Sequence, residues 1–268
     1  MTKLKYLLSL AVLLIFCKGV SAQEVFPSQE EIKRIEARGK QIANYERAAI
    51  RATDLMLAHH PDKSKLGIYV AVNQNNKWTV YFGKLVDKGL EAEYVYSCPD
   101  GQFDQMKPDE NDKNISTEAF YFAKAVSLAR DSIAQEMTFP RYNTNVFREQ
   151  DGKITVYFIP GNKELDTVIL GGDFKVSVSN DASKILNKTK LHANSLTFSL
   201  KAEKDRPTAA AFHTHVLSEL PTETDVALIL LYPVLAPHYV TAQTWMSKIN
   251  ADGQITVLGK SEEILKGN

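Results

Sequence analysis

Apolar side chains at Ile35, Ile42, Ala49 and Met56, with Tyr45 and Ala52 between them, keep one stripe at helical spacing to about Leu57. Ser28-Gln29-Glu30-Glu31 forms a capping box ahead of the stripe, and Pro61 closes it. The period then shortens. Leu66 to Val72 and Lys77 to Leu85 read as strands joined by the polar turn Asn73 to Asn76, and Glu91 to Ser97 reads as a third. Cys98 to Asn114, with Pro99, Gly101 and Pro108, is read as a loop. Phe120, Ala123, Val126, Leu128 and Ile133 predict a second helix over Ser116 to Met137, and Pro140 ends this unit.

Beyond Pro140 strands dominate. They are expected at Lys153 to Ile159, which alternates cleanly, then at Thr167 to Leu170, Phe174 to Ser179 and Leu196 to Leu200. Thr208 to Val216 is short, apolar and small-residued, as a central strand tends to be. Pro221 and Thr222 introduce a helix over Glu223 to Leu231, closed by Pro233 and Pro237. Two last strands, His238 to Ala242 and Gln254 to Leu258, flank the turn Ala251-Asp252-Gly253. The order predicts an α/β (α+β) protein, a mixed sheet flanked by helices. Residues 23–140 form a smaller helix–strand unit, and residues 141–268 form the second half.

Residues 1–22 stand apart. Lys3 and Lys5 precede the apolar run Leu7 to Phe16, and Val20-Ser21-Ala22 has the small-x-small form of a cleavage site. This predicts a signal peptide and an exported chain, with no stable membrane anchor after cleavage. Without the three lysines of that segment, 29 basic residues face 32 acidic ones, a balance that argues against a nucleic-acid partner. Cys98 alone remains, so no internal disulfide can form.

The chemistry concentrates at "AAAFHTHVLSELPTETD", Ala209 to Asp225. Side chains at i and i+2 of a strand share a face, about 6–7 Å apart, so His213 and His215 can close on one ion. Asp225 falls in the first turn of the following helix, aimed back at the strand end. Two imidazoles and a carboxylate suit zinc and leave a fourth position for water, the catalytic pattern. A plainer reading stands beside it. Thr222 and Asp225 also make a helix cap, and strand-end histidines are often satisfied by backbone carbonyls. His192 and His238, taken singly, read as satisfied or exposed histidines, and Asp173, after Gly171-Gly172, as part of a turn or the edge of a cleft.

The stretch resembles the JAMM (JAB/MPN) metallopeptidase signature, His-x-His-Pro, six residues, Ser-x-x-Asp. Here it runs His213-Thr214-His215-Val216, Leu217 to Pro221, then Thr222-Glu223-Thr224-Asp225, and "PHYVTAQTWMSKINADGQITVLG" is similar to that family's closing hairpin. The resemblance covers about the last 60 residues well and those from about 141 loosely. It implies His213, His215 and Asp225 as zinc ligands and Thr222 as oxyanion donor. It also implies a zinc-activated water that cleaves a peptide or isopeptide bond in a peptide or protein substrate. The upstream glutamate that the family uses as general base would be Glu149 or Glu164. Val216 stands in place of the proline, the loop is one residue shorter, and threonine replaces serine. The same resemblance without a base implies a catalytically inactive binding module, with or without zinc. The cupin pattern, which also opens with His-x-His and a following Glu, fails here: Val226 stands where its glycine belongs.

Overall fold

The computed structural model describes residues 26–87, 89–109, 115–162, 164, 166–201 and 210–267. The expected signal peptide and the first two residues of the strand from Thr208 lie outside them. Helix α1 (Gln29–Ala58) starts where the capping box places it, with Ser28 accepting the Glu31 amide at 3.1 Å. An antiparallel sheet follows in sequence order: β1 (Ile68–Gln74), β2 (Lys77–Val86), β3 (Gly89–Pro99) and the two-residue β4 (Lys107–Pro108). The first hairpin is tight because Asn75 and Asn76 take positive φ, which suits a two-residue loop between Gln74 and Lys77. Helix α2 (Thr117–Ile133) is capped by Ser116.

A second antiparallel sheet has the order β5 (Tyr142–Arg148), β6 (Ile154–Pro160), β8 (Phe174–Val178), β9 (Ile185–Lys190). Between β6 and β8 in sequence, β7 (Thr167–Gly171) leaves to pair with β10 (Ser195–Ser199). The C-terminal sheet runs β11 (Ala211–Thr214), β12 (His238–Thr241), β13 (Trp245–Ile249), β14 (Ile255–Lys260). Its β11–β12 pair is parallel and the others are antiparallel. Helix α3 (Glu223–Leu231) makes the crossover between the parallel strands, and α4 (Ser261–Leu265) follows the last one. The α+β class read from the sequence holds, with the strands of the described residues divided among four sheets.

One apolar core joins Val70, Val80 and Tyr96 of the first sheet, Phe122 and Val126 of α2, and Val156 and Val176 of the second sheet, across Pro140. A second core packs Ile32 and Ile35 of α1 against Val226 and Ile229 of α3, with Val240 and Ile249 beneath. The long helix therefore serves both cores: Tyr45 and Ala52 face the first, Ile32 and Ile35 the second. Gly39 makes its approach to α3 possible. A Cβ there would lie 2.5 Å from Val226 Cβ and 2.9 Å from the Glu223 carbonyl oxygen. Among the described residues, no helix is long and apolar enough to cross a membrane.

Candidate metal centre

Strand alternation works as the spacing demands. Ala211 and His213 point inward from β11 while Phe212 and Thr214 point out. His215, just past the strand, prolongs the ladder by donating its amide to the Thr241 carbonyl at 2.8 Å, so its side chain falls on the inner face with His213. The turn after β11 then leads into α3, whose first turn brings Asp225 to the same place. A fourth residue arrives from elsewhere. His192 follows β9, where the Leu191 amide bonds the Asp173 carbonyl at 3.2 Å. That loop lies so close to β7 that a Cβ on Gly171, which holds a φ of +83°, would sit 2.3 Å from the Asn194 carbonyl oxygen. His192, His213, His215 and Asp225 are all buried, and one donor atom from each lies within 4.8 Å of the others.

Asp225 does two jobs. Its Oδ2 accepts the Thr222 amide at 2.7 Å and the Thr222 hydroxyl at 2.9 Å, completing a capping box on α3. Its Oδ1 lies 3.0 Å from His192 Nε2 and 3.5 Å from His213 Nε2, while His215 Nε2 lies 3.2 Å from Oδ2. Cap and candidate ligand are thus the same residue.

The outer nitrogens show what the inner ones are for. His192 Nδ1 sits 2.6 Å from Asp173 Oδ1 and so donates to that carboxylate; Asp173 Oδ2 is already taken by the Thr224 hydroxyl. His215 Nδ1 sits 2.6 Å from the Ser218 hydroxyl oxygen. Ser218 gives its only proton to the Leu220 carbonyl, so His215 Nδ1 must be the donor. His213 Nδ1 lies 2.7 Å from Nε2 of His238, itself wholly buried. Each imidazole is held by its outer nitrogen, and three Nε2 atoms converge on one carboxylate. Nε2 of His213 and of His215 have no hydrogen-bond partner despite complete burial. At His215 the proton on Nδ1 leaves a lone pair on Nε2, and a lone pair buried against an anion is costly unless a cation lies between them. Outer partners that fix the tautomer and aim the inner nitrogen are the usual surroundings of a histidine metal ligand.

Protonation in the metal-free chain follows the same geometry. Burial disfavours the charged form of His192, but the carboxylates of Asp225 and Asp173 on its two nitrogens outweigh it and raise its pKa to about 11. Burial dominates at His213 and pushes its pKa down to about 3. Burial acts against ionisation of Asp225 too, yet the facing imidazoles of His192, His215 and His213 hold its carboxyl well below the usual range. One proton on His192 stands where a cation would stand.

The remaining expected site residues lie elsewhere or are committed. The Thr222 hydroxyl donates to Asp225 within the cap and contacts Thr224, and the residue is buried. Glu149 is ion-paired to Arg38 of α1 at 2.5 Å, in the wall of a separate cleft. Glu164 is exposed in the bend before β7. Neither glutamate belongs to the four-residue group. Sequence reasoning underrated His192 and Asp173, 19 residues apart and joined only by the fold. The single signal was a polar Gly-Gly-Asp link and a lone histidine, each at the end of a strand.

Comparison with family models, with curated proteins and with solved structures finds no match for this chain. The site therefore stands on its own geometry: a buried His-His-His-Asp group that could hold a metal ion, compatible with the JAMM-like spacing of its last three members.

Proposed function

We propose that the chain is an exported metalloprotein whose JAMM-like C-terminal half holds one zinc ion as a structural clasp within a protein- or peptide-binding module. His192, His213, His215 and Asp225 would hold the ion. Bound there, it supplies a cross-link between β11, the start of α3 and the loop after β9. The observation that carries this reading is the pair of partnerless, buried Nε2 atoms on His213 and His215, facing Asp225 with their outer nitrogens secured. Three imidazoles and a carboxylate suit zinc, and four protein donors fill the coordination that a structural zinc site takes.

A hydrolytic version of the same site, acting on peptide or isopeptide bonds, has one feature in its favour: His192 sits on a loop and could leave the group. It would also need a base, and Glu149 is engaged with Arg38. One experiment separates the two. Melting of the purified chain is followed with and without a strong chelator, beside an assay for hydrolysis of a mixed peptide library. The clasp predicts a stabilisation by the ion of about 4 kcal/mol at a thousandfold excess over Kd and no hydrolysis. Melting indifferent to chelation would remove the clasp, and hydrolysis that stops on chelation would replace it with the enzyme.

A further inference from the structure

Each oxygen of an ionised carboxylate offers roughly two lone pairs. At Asp225 the two oxygens spend theirs differently. Oδ2 accepts the Thr222 amide at 2.7 Å and the Thr222 hydroxyl at 2.9 Å, which fills both of its places. Oδ1 has one hydrogen bond among the described residues, from His192 Nε2 at 3.0 Å. His215 Nε2 also lies 3.2 Å from Oδ2, but it brings a lone pair, since the His215 proton is on Nδ1. It therefore donates nothing there.

The hydroxyl that grips Oδ2 has one proton and two neighbours. Thr224 Oγ1 lies 2.9 Å from it, as near as the carboxylate. The carboxylate wins, because a hydrogen bond to a charged acceptor is roughly twice as strong as one between neutral groups. Thr224 in turn gives its proton to Asp173. Thr222 and Asp225 are both buried, so water does not compete for either oxygen. The amide bond belongs to the capping box that starts α3, whereas the hydroxyl bond depends on the side chain at 222 alone.

This division matters to an ion. A carboxylate that offers one oxygen makes, with three imidazoles, four donors of which three are nitrogen, the set that suits zinc. A carboxylate that offers both makes five, and moves the centre toward the more numerous oxygen donors that suit manganese. We infer that the Thr222 hydroxyl sets the ion specificity of the centre, confining Asp225 to one donor oxygen and so favouring zinc over manganese. The inference rests on the metal reading of the four-residue group. Thr222 then acts through Asp225, as a positioning residue.

Thr222→Val keeps the shape of the side chain and the amide bond but removes the hydroxyl, and Thr222→Ser keeps the hydroxyl. The full chain and both variants, stripped of metal, are titrated with zinc and with manganese against a chromogenic chelator. Each is also loaded with cobalt for visible absorption. The zinc-to-manganese affinity ratio is expected to fall about tenfold in Thr222→Val and to stay near the parent value in Thr222→Ser. The intense bands of four-coordinate cobalt should appear in the parent and in Thr222→Ser, and weaken in Thr222→Val. Thr222→Val also removes the cap contact of the Asp225 amide with the hydroxyl at 3.4 Å, which loosens α3. Loosening alone would weaken both ions alike and leave the ratio unchanged. An unchanged ratio in Thr222→Val, or an equally low one in Thr222→Ser, would overturn the assignment and leave the metal reading intact. A parent that takes up none of the ions would overturn both. Should Thr222→Val fail to fold, the parent decides: weak bands of higher-coordinate cobalt would overturn the inference.

Discussion

Replacing Asp173 by asparagine changes one atom behind the centre and touches none of the four candidate ligands. In the native chain both carboxylate oxygens accept, one from His192 Nδ1 at 2.6 Å and the other from the Thr224 hydroxyl. An asparagine has a single acceptor oxygen. If its oxygen faces Thr224, its amide faces His192 Nδ1 and forces the other tautomer, with a proton on Nε2 aimed at Asp225. If its oxygen faces His192, the Thr224 bond is lost and the imidazole still gives up a carboxylate partner. Asp173 is 1% exposed, so no solvent can repair either arrangement. Loss of such an outer partner costs a metal site about 10- to 100-fold in affinity, or about 1.4–2.7 kcal/mol. Zinc affinity of parent and Asp173→Asn would be measured by competition with a chromogenic chelator at fixed pH, with circular dichroism confirming the fold. A variant that folds normally and binds zinc within about twofold of the parent would refute the assignment of Asp173 as the residue that orients His192.

Two further outcomes follow from the same geometry. In the metal-free chain His192 is protonated at neutral pH because its pKa is raised to about 11, so an ion can take Nε2 only by expelling that proton. Zinc uptake should therefore release about one proton near pH 7 and tighten as pH rises, read by calorimetry in buffers of different ionisation enthalpy; uptake without proton release would contradict the site. Gly39→Ala would ordinarily gain about 1 kcal/mol of helix propensity. Here the new Cβ meets Val226 Cβ at 2.5 Å, and overpacking costs about 1–3 kcal/mol. Val226 Cβ is fixed to the α3 backbone and cannot swing aside, so a net loss of up to about 2 kcal/mol and a lower melting temperature are expected. A higher melting temperature would mean that α1 and α3 do not cross at this distance.

What the sequence revealed and what it concealed divide along physical lines. Helices α1 and α3 were legible because their caps and apolar positions are local. So was the common face of His213 and His215, which needs only strand periodicity. Strands β5 and β9 were hidden for different reasons. β5 buries Thr144 and Asn145, the latter with its amide on the buried Glu46 carboxylate at 2.7 Å, so its inward face reads as polar. β9 is an edge strand with almost every residue exposed, and its apolar residues, Ile185 and Leu186, are adjacent at its start and so give no alternation. In β13 the inward Ser247 breaks an alternation that Trp245 and Ile249 would otherwise announce. His192 and Asp173 could not be read as partners, since what joins them is the pairing of β8 with β9 and the close passage that Gly171 permits. Glu149 and Glu164 have only family position to recommend them, and sequence distance carries no information about Arg38, which pairs with Glu149.

The central claim is that His192, His213, His215 and Asp225 hold a metal ion. Metal content of the purified chain, measured by mass spectrometry after exposure to equimolar zinc and desalting, tests it directly beside the His213→Ala/His215→Ala double variant. The account predicts one zinc per parent chain and a negligible amount in the variant. Equal, negligible zinc in both would contradict it.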